Sequence, residues 1–173
     1  WKLAPGADNP TPLPFTGLKD PDGVAVDAAG DVYVTDYSGN RVLKLAEGAT
    51  TPTVLPLKDI RGPVGVAVDA GDNLYIVDNR TNRVLKLAAG ASSPTALPFG
   101  TLHYPTGVGV DTNDNVYVVQ MNPDPVLKLA PEASAPTPMP FTRLGNESAD
   151  LAVDSFGTVY VTDLPHNVAY DGH

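Results

Sequence analysis

A 42-residue period, four short β-prone runs in each period and no stretch of helical periodicity together predict an all-β fold: four tandem blades, each a four-stranded antiparallel sheet, arranged as a β-propeller. The period is set by Lys2-Leu3, which recurs as Lys44-Leu45, Lys86-Leu87 and Lys128-Leu129 at one constant step of 42 residues. The same step carries Pro21 to Pro63 to Pro105 and Asp27 to Asp69 to Asp111, and one inserted residue delays the fourth copy to Asp154.

The elements follow in order within each repeat. Strand A falls at 24–27, 66–69, 108–111 and 151–154, where small and branched apolar residues alternate. Strand B falls at 32–35, 74–77, 116–119 and 159–162, and strand C at 41–45, 83–87 and 126–129. Strand D is expected over 53–57, 95–99 and 137–141, with a further copy at 11–15. Asp-Ala-Ala-Gly-Asp at 27–31 and its variants form a short turn that joins A to B as an antiparallel hairpin. Sheets that are apolar on both faces cannot stand alone, so they must stack between neighbours, and radial stacking gives a propeller. The blades are expected at about 21–57, 63–99, 105–141 and 148–173, with N-terminal strands in 1–15, in a single domain spanning 1–173.

Composition narrows the partners. A net charge of -9 over 173 residues repels nucleic acid and anionic lipid, so neither is expected to bind. There are no cysteines, which removes disulfides and thiolate metal sites. No apolar run is long enough to span a bilayer, so a membrane link is expected only through a segment outside this chain. The start at Trp1, without a methionine or a signal-like segment, leads us to expect a processed or excised piece.

Pro-Asp-Gly-Val-Ala-Val-Asp at 21–27, Gly-Asp-Val-Tyr-Val-Thr-Asp at 30–36 and Asn-Arg-Val-Leu-Lys-Leu at 40–45 resemble the NHL repeat, over essentially the whole chain. With the Leu-Pro-Phe of strand D at 13–15 and 97–99, the sequence is most similar to the extracytoplasmic sensor domain of mycobacterial receptor Ser/Thr protein kinases, a six-bladed propeller. That resemblance implies a location outside the cytoplasm or in the cell envelope and a sensor or ligand-binding role. Four repeats against six leave two arrangements open: part of a longer propeller, or a closed four-bladed ring with one terminal segment displaced.

Candidate site residues divide into repeated and variable ones. Asp27, Asp69, Asp111 and Asp154 open the A–B turns, where a carboxylate ordinarily accepts backbone N–H bonds two or three residues on. That structural role is expected in preference to a shared cation, and no metal or cofactor is expected. Asp36 with Arg41, and Asp78 with Arg83, flank the B–C turn as ion pairs that pin it, and the third repeat replaces both members by Gln120 and Pro125.

Binding is expected where the repeats differ, on a cup formed by the D–A and B–C loops. Its lining is Asp20, Asp22, Tyr37, Arg61, Asn79, Arg80, His103, Tyr104, Met121, Asn122, Asn146, Glu147 and His166. A small molecule, glycan or peptide, or a protein partner or second copy, is the expected ligand. The leading expectation is therefore a non-catalytic recognition module. One alternative is a propeller lyase or lactonase, for which His103 and His166 would have to meet above the channel. Another is a structural subunit that completes a larger assembly.

Overall fold

The computed structural model describes residues 1–121, 125–141, 144, 148–154 and 156–163. Pro21–Val26 (β1), Val32–Asp36 (β2), Arg41–Leu45 (β3) and Thr53–Val54 (β4) form the first sheet, in the order β1-β2-β3-β4. Pro63–Val68 (β5), Leu74–Asp78 (β6), Arg83–Leu87 (β7) and Thr95–Ala96 (β8) form the second. Gly107–Val110 (β9), Val116–Val119 (β10), Val126–Leu129 (β11) and Thr137–Pro138 (β12) form the third. Ser148–Val153 (β13) pairs with Val159–Asp163 (β14) in the fourth. Among the described residues the one helical element is a 3-10 turn, Asn79–Thr81.

The innermost strands start earlier than alternation alone suggests. β1, β5 and β13 each begin with a bulge, which lets Pro21, Pro63 and Ser148 pair with Asp36, Asp78 and Asp163 ahead of the regular register. The outermost strands are shorter than expected. β4 pairs only Thr53 and Val54 with Lys44 and Leu43, because Leu55 makes one further bond to Val42 and Pro56 then has no N–H to continue. The N–H of Leu57 turns back to the Leu55 carbonyl, and Phe99 to Leu97 and Phe141 to Met139 repeat the geometry. In the N-terminal segment the expected strand is a single bridge, Lys2 to Thr11, in the same register as Lys44 with Thr53.

The core lies between blades. Along β6, Leu74 and Ile76 join a cluster with Tyr33, Val42, Leu57 and Ile60 of the first repeat, whereas Tyr75 and Val77 join Val108, Val116 and Val118 of the third. β10 repeats the alternation, with Tyr117 and Val119 packed on Leu151 of β13. The middle strands of the inner sheets are thus greasy on two sides, which is the reason for stacking. The outer surfaces show the converse. Val66 is 9% exposed against the first blade, but its counterpart Val24 is 65% exposed and Val26 57%. Tyr160 on β14 is 58% exposed where Tyr75 is 1%. Packing among the described residues runs in chain order.

Close approach of neighbouring β1, β5, β9 and β13 requires glycine at one repeated position. A Cβ on Gly65 would lie 2.8 Å from the Thr106 carbonyl oxygen and 2.9 Å from Gly107 Cα. Instead the Gly65 N–H donates to that carbonyl at 3.1 Å. Between the first two blades the Gly23 N–H donates to the Thr35 hydroxyl, which donates in turn to the Val64 carbonyl, both at 2.7 Å. Gly65→Ala should therefore cost about 1–3 kcal/mol through blade separation. A lower urea midpoint would show this, and an unchanged midpoint would contradict the packing.

Candidate functional site

The two ends of the blades are built differently. At the A–B turn Asp69 Oδ1 accepts the N–H groups of Gly71 and Asn73, and Oδ2 accepts the Tyr75 hydroxyl at 2.9 Å. Asp27 binds Ala29, Asp31 and Tyr33, Asp111 binds Asn113, Asn115 and Tyr117, and Asp154 binds Phe156, Thr158 and Tyr160 in the same way. The backbone donors are two and four residues on, rather than two or three. Opposite each of the first three tyrosines on strand C, a lysine ammonium lies over the ring: Lys44 on Tyr33, Lys86 on Tyr75 and Lys128 on Tyr117, at 5.1 to 5.4 Å from the centroid. The motifs do not point to these tyrosines; the usable signal is a Tyr six residues after each repeated Asp.

These contacts set the carboxyl acidities. Burial pushes Asp69 up, but the Asn73 side chain and N–H, the Tyr75 hydroxyl and the Gly71 N–H outweigh it and hold Asp69 below the ordinary carboxylate value. Asp111 is lowered against burial in the same manner. Burial, followed by the bond to Asp111, raises the Tyr117 hydroxyl to about 12. No group of three or more His, Cys, Asp or Glu that could hold a metal occurs among the described residues.

At the other end, fully buried Asp36 accepts the N–H groups of Lys19 and Asp20 at 2.9 Å and meets Arg41 at 2.9 Å. The other end of the Arg41 guanidinium donates to the Gly17 carbonyl, so the pair ties the B–C hairpin to the chain entering the blade. Asp78 repeats this with the Arg61 N–H, Arg83 and the Asp59 carbonyl. Gln120 replaces Asp78 in the third blade and still accepts the equivalent backbone bond, from His103 at 2.8 Å. Burial raises Asp36, and the two N–H groups with Arg41 outweigh it to leave the carboxyl below its ordinary value.

D–A and B–C loops lie side by side, joined by Tyr37 N–H to the Asp20 carbonyl, Arg80 N–H to the Arg61 carbonyl and Met121 N–H to the His103 carbonyl. Arg80 stacks over Tyr37 at 4.5 Å from the ring centroid and donates to its hydroxyl. Gly62 lies beneath, where a Cβ would come within 2.7 Å of the Tyr37 ring and 2.9 Å of Arg80 Cγ. Tyr104 occupies the corresponding place in the next repeat with φ 48°, left-handed backbone that a bulky residue adopts at a cost of about 1 kcal/mol or more. Its ring is 62% exposed. Arg61 and His103 are exposed, and Met121 is half-buried.

Not every expected residue faces a ligand. Asn79 is engaged by the Pro105 carbonyl, and Asp20 accepts from Ser38. Asp22 lies away from the rim, in a cleft of about 400 Å³ between the innermost strands that is also lined by Val64, Thr106 and Asp150. Burial and the charges of Asp150 and Asp20 raise the Asp22 carboxyl, and burial raises Asp150. Of the expected cup only Asp22 reaches this cleft. Asn122, Asn146, Glu147 and His166 lie outside the described residues.

This arrangement defines an array of β-propeller blades with one repeated end and one variable end. Residues 18–45 and 61–87, in the first two blades, match the NHL repeat. No match is found among the curated proteins. Solved structures of similar fold include a streptogramin B lyase (TM-score 0.71, 19% identity, covering 87% of this chain and 51% of that one). A virginiamycin B lyase from Staphylococcus aureus has TM-score 0.67 and 13% identity, covering 88% and 51%. A nidogen/laminin complex has TM-score 0.69 and 21% identity, covering 86% and 57%. The chain thus spans about half the length of these structures, and what it shares with them is the fold.

Two outcomes follow from the buried carboxylates. Because Asp36, Asp69 and Asp111 titrate lower in the folded than in the unfolded chain, their contribution is complete above the unfolded carboxylate value near 4. It should be lost as pH falls through the lower folded values. Asp69→Asn should cost about 1–2 kcal/mol at neutral pH and flatten that acid limb in denaturation curves; an unaltered limb would contradict the assignment. Arg83→Met should cost about 2 kcal/mol by leaving Asp78 buried without its cation, and the double variant with Asp78→Gln should recover part of the loss in the same assay.

Proposed function

We propose that the chain is a non-catalytic recognition module, extracytoplasmic in location, that contacts a ligand or protein partner through its D–A and B–C loop face. One contrast carries the reading. The A–B end repeats a single Asp-based construction from blade to blade, whereas the loop end varies, exposes Arg61, His103 and Tyr104, and holds Tyr104 in a backbone conformation suited to glycine. Similarity of fold to nidogen in its complex with laminin supports a protein partner. The sensor role and the location outside the cytoplasm rest on the resemblance of the repeat motifs.

A lyase role has support from the lyase folds. His103, the histidine within the described residues, is exposed and shows no side-chain partner there. A structural role has its own observation, the exposed Val24, Val26 and Tyr160 on the outer blade faces. Those surfaces suit a further blade or a partner chain.

NMR mapping with a panel of amino-acid, carboxylate and sugar fragments tests the leading reading. Shifts should concentrate at Tyr37, Arg61, Arg80, His103 and Tyr104. Shifts confined to the A–B turns or the inner cleft, or turnover of a fragment, would contradict it.

A further inference from the structure

We propose that Tyr37, Arg61, Arg80 and Tyr104 form a subsite for an acidic peptide, one that presents an isolated carboxylate beside an aromatic ring. The inference rests on the loop-face reading above and names the class of partner. Among the described residues, six cations are already committed. Arg41 and Arg83 pair with buried aspartates, Lys2 with Glu47 and Lys44 with Asp31, and Lys86 and Lys128 cover tyrosine rings. Among the described residues the Arg61 side chain makes no hydrogen bond or ion pair, and the Arg80 guanidinium hydrogen-bonds and stacks on Tyr37 alone.

The two arginines are also fixed at the backbone, and Arg80 at its side chain as well. Their backbones are joined by the bond from the Arg80 N–H to the Arg61 carbonyl at 3.2 Å, and the Arg61 N–H is fixed on buried Asp78. Absence of a Cβ at Gly62 admits the Tyr37–Arg80 stack, which holds one guanidinium flat with its outer nitrogens free to form a two-point bond to a carboxylate. Tyr104 is anchored through its N–H to Asn82, two residues from Arg80, just as Gly62 is anchored to Asn40. It is exposed and anchored on the loop that carries Arg80, at a position where glycine would fit the backbone without strain.

Charge around the patch selects among anions. Asp20, whose carbonyl accepts the Tyr37 N–H, and Asp59, in the same loop as Arg61, flank it on a chain of net charge -9, so a polyanion is repelled while a single carboxylate between neutral neighbours is accepted.

The test uses dye-labelled acetyl-Gly-Glu-Tyr-Gly amide and its Gln-for-Glu counterpart, followed by fluorescence anisotropy with the whole chain up to millimolar concentration at low salt. The acidic peptide should bind at least about tenfold tighter than the neutral one. The double variant R61Q/R80Q should abolish that difference. Tyr104→Gly should weaken binding several-fold while raising the melting temperature, an opposition that a purely structural tyrosine would not give. Equal binding of the two peptides, no binding of either, or indifference to R61Q/R80Q would overturn the proposal, as would tighter binding of a single-stranded oligonucleotide. Fragment shifts at the loop face without carboxylate preference would overturn this inference and leave the loop-face reading in place.

Discussion

The structure depends on one constraint: each inner sheet is apolar on both surfaces, so a blade is stable only with another blade against it. β6 shows this within a single strand, sending Leu74 and Ile76 toward the first blade and Tyr75 and Val77 toward the third. The same requirement brings the innermost strands close enough that Gly23, Gly65 and Gly107 cannot carry a side chain without meeting the neighbour. Val24 and Val26 show the other side of it, being apolar and exposed where no described blade precedes them.

Stacking fixes the blade centres and leaves the two ends with different tasks. At the A–B end, aspartate satisfies backbone donors and a tyrosine hydroxyl that would otherwise be buried without partners, and the solution is repeated because the problem is repeated. At the other end, buried Asp36, Asp78 and Gln120 hold the entering chain against the B–C turn from beneath. Above that support the side chains of Arg61 and His103 are exposed and carry no structural bond among the described residues. The surface available for recognition is thus a consequence of how completely the layer below it is hydrogen-bonded.

Much of the architecture was legible because the repeat reports the same environment several times. Period, blade order and the A–B hairpin all follow from apolar alternation punctuated by Asp and Gly. Strand D was less legible: Thr53 to Leu57 reads as five β-prone residues, but Pro56 cuts the ladder and leaves two in strand. The Asp36–Arg41 pair could be read from spacing, yet its grip on Lys19, Asp20 and Gly17 is tertiary and leaves no local trace. At the candidate site, variable loops mark where to look but not which way side chains turn. Arg80 over Tyr37 depends on a glycine from a different loop, and Asn79, from the same turn, is spent on the next blade.

Native-state hydrogen exchange tests the dependence of each blade on its neighbours most directly. Amides of Leu74–Asp78 and Val116–Val119, flanked on both sides, should exchange slowest, with those of Val32–Asp36 and Val159–Asp163 faster. Equal protection of all four strands regardless of position would mean that each blade holds itself together, and would contradict the account.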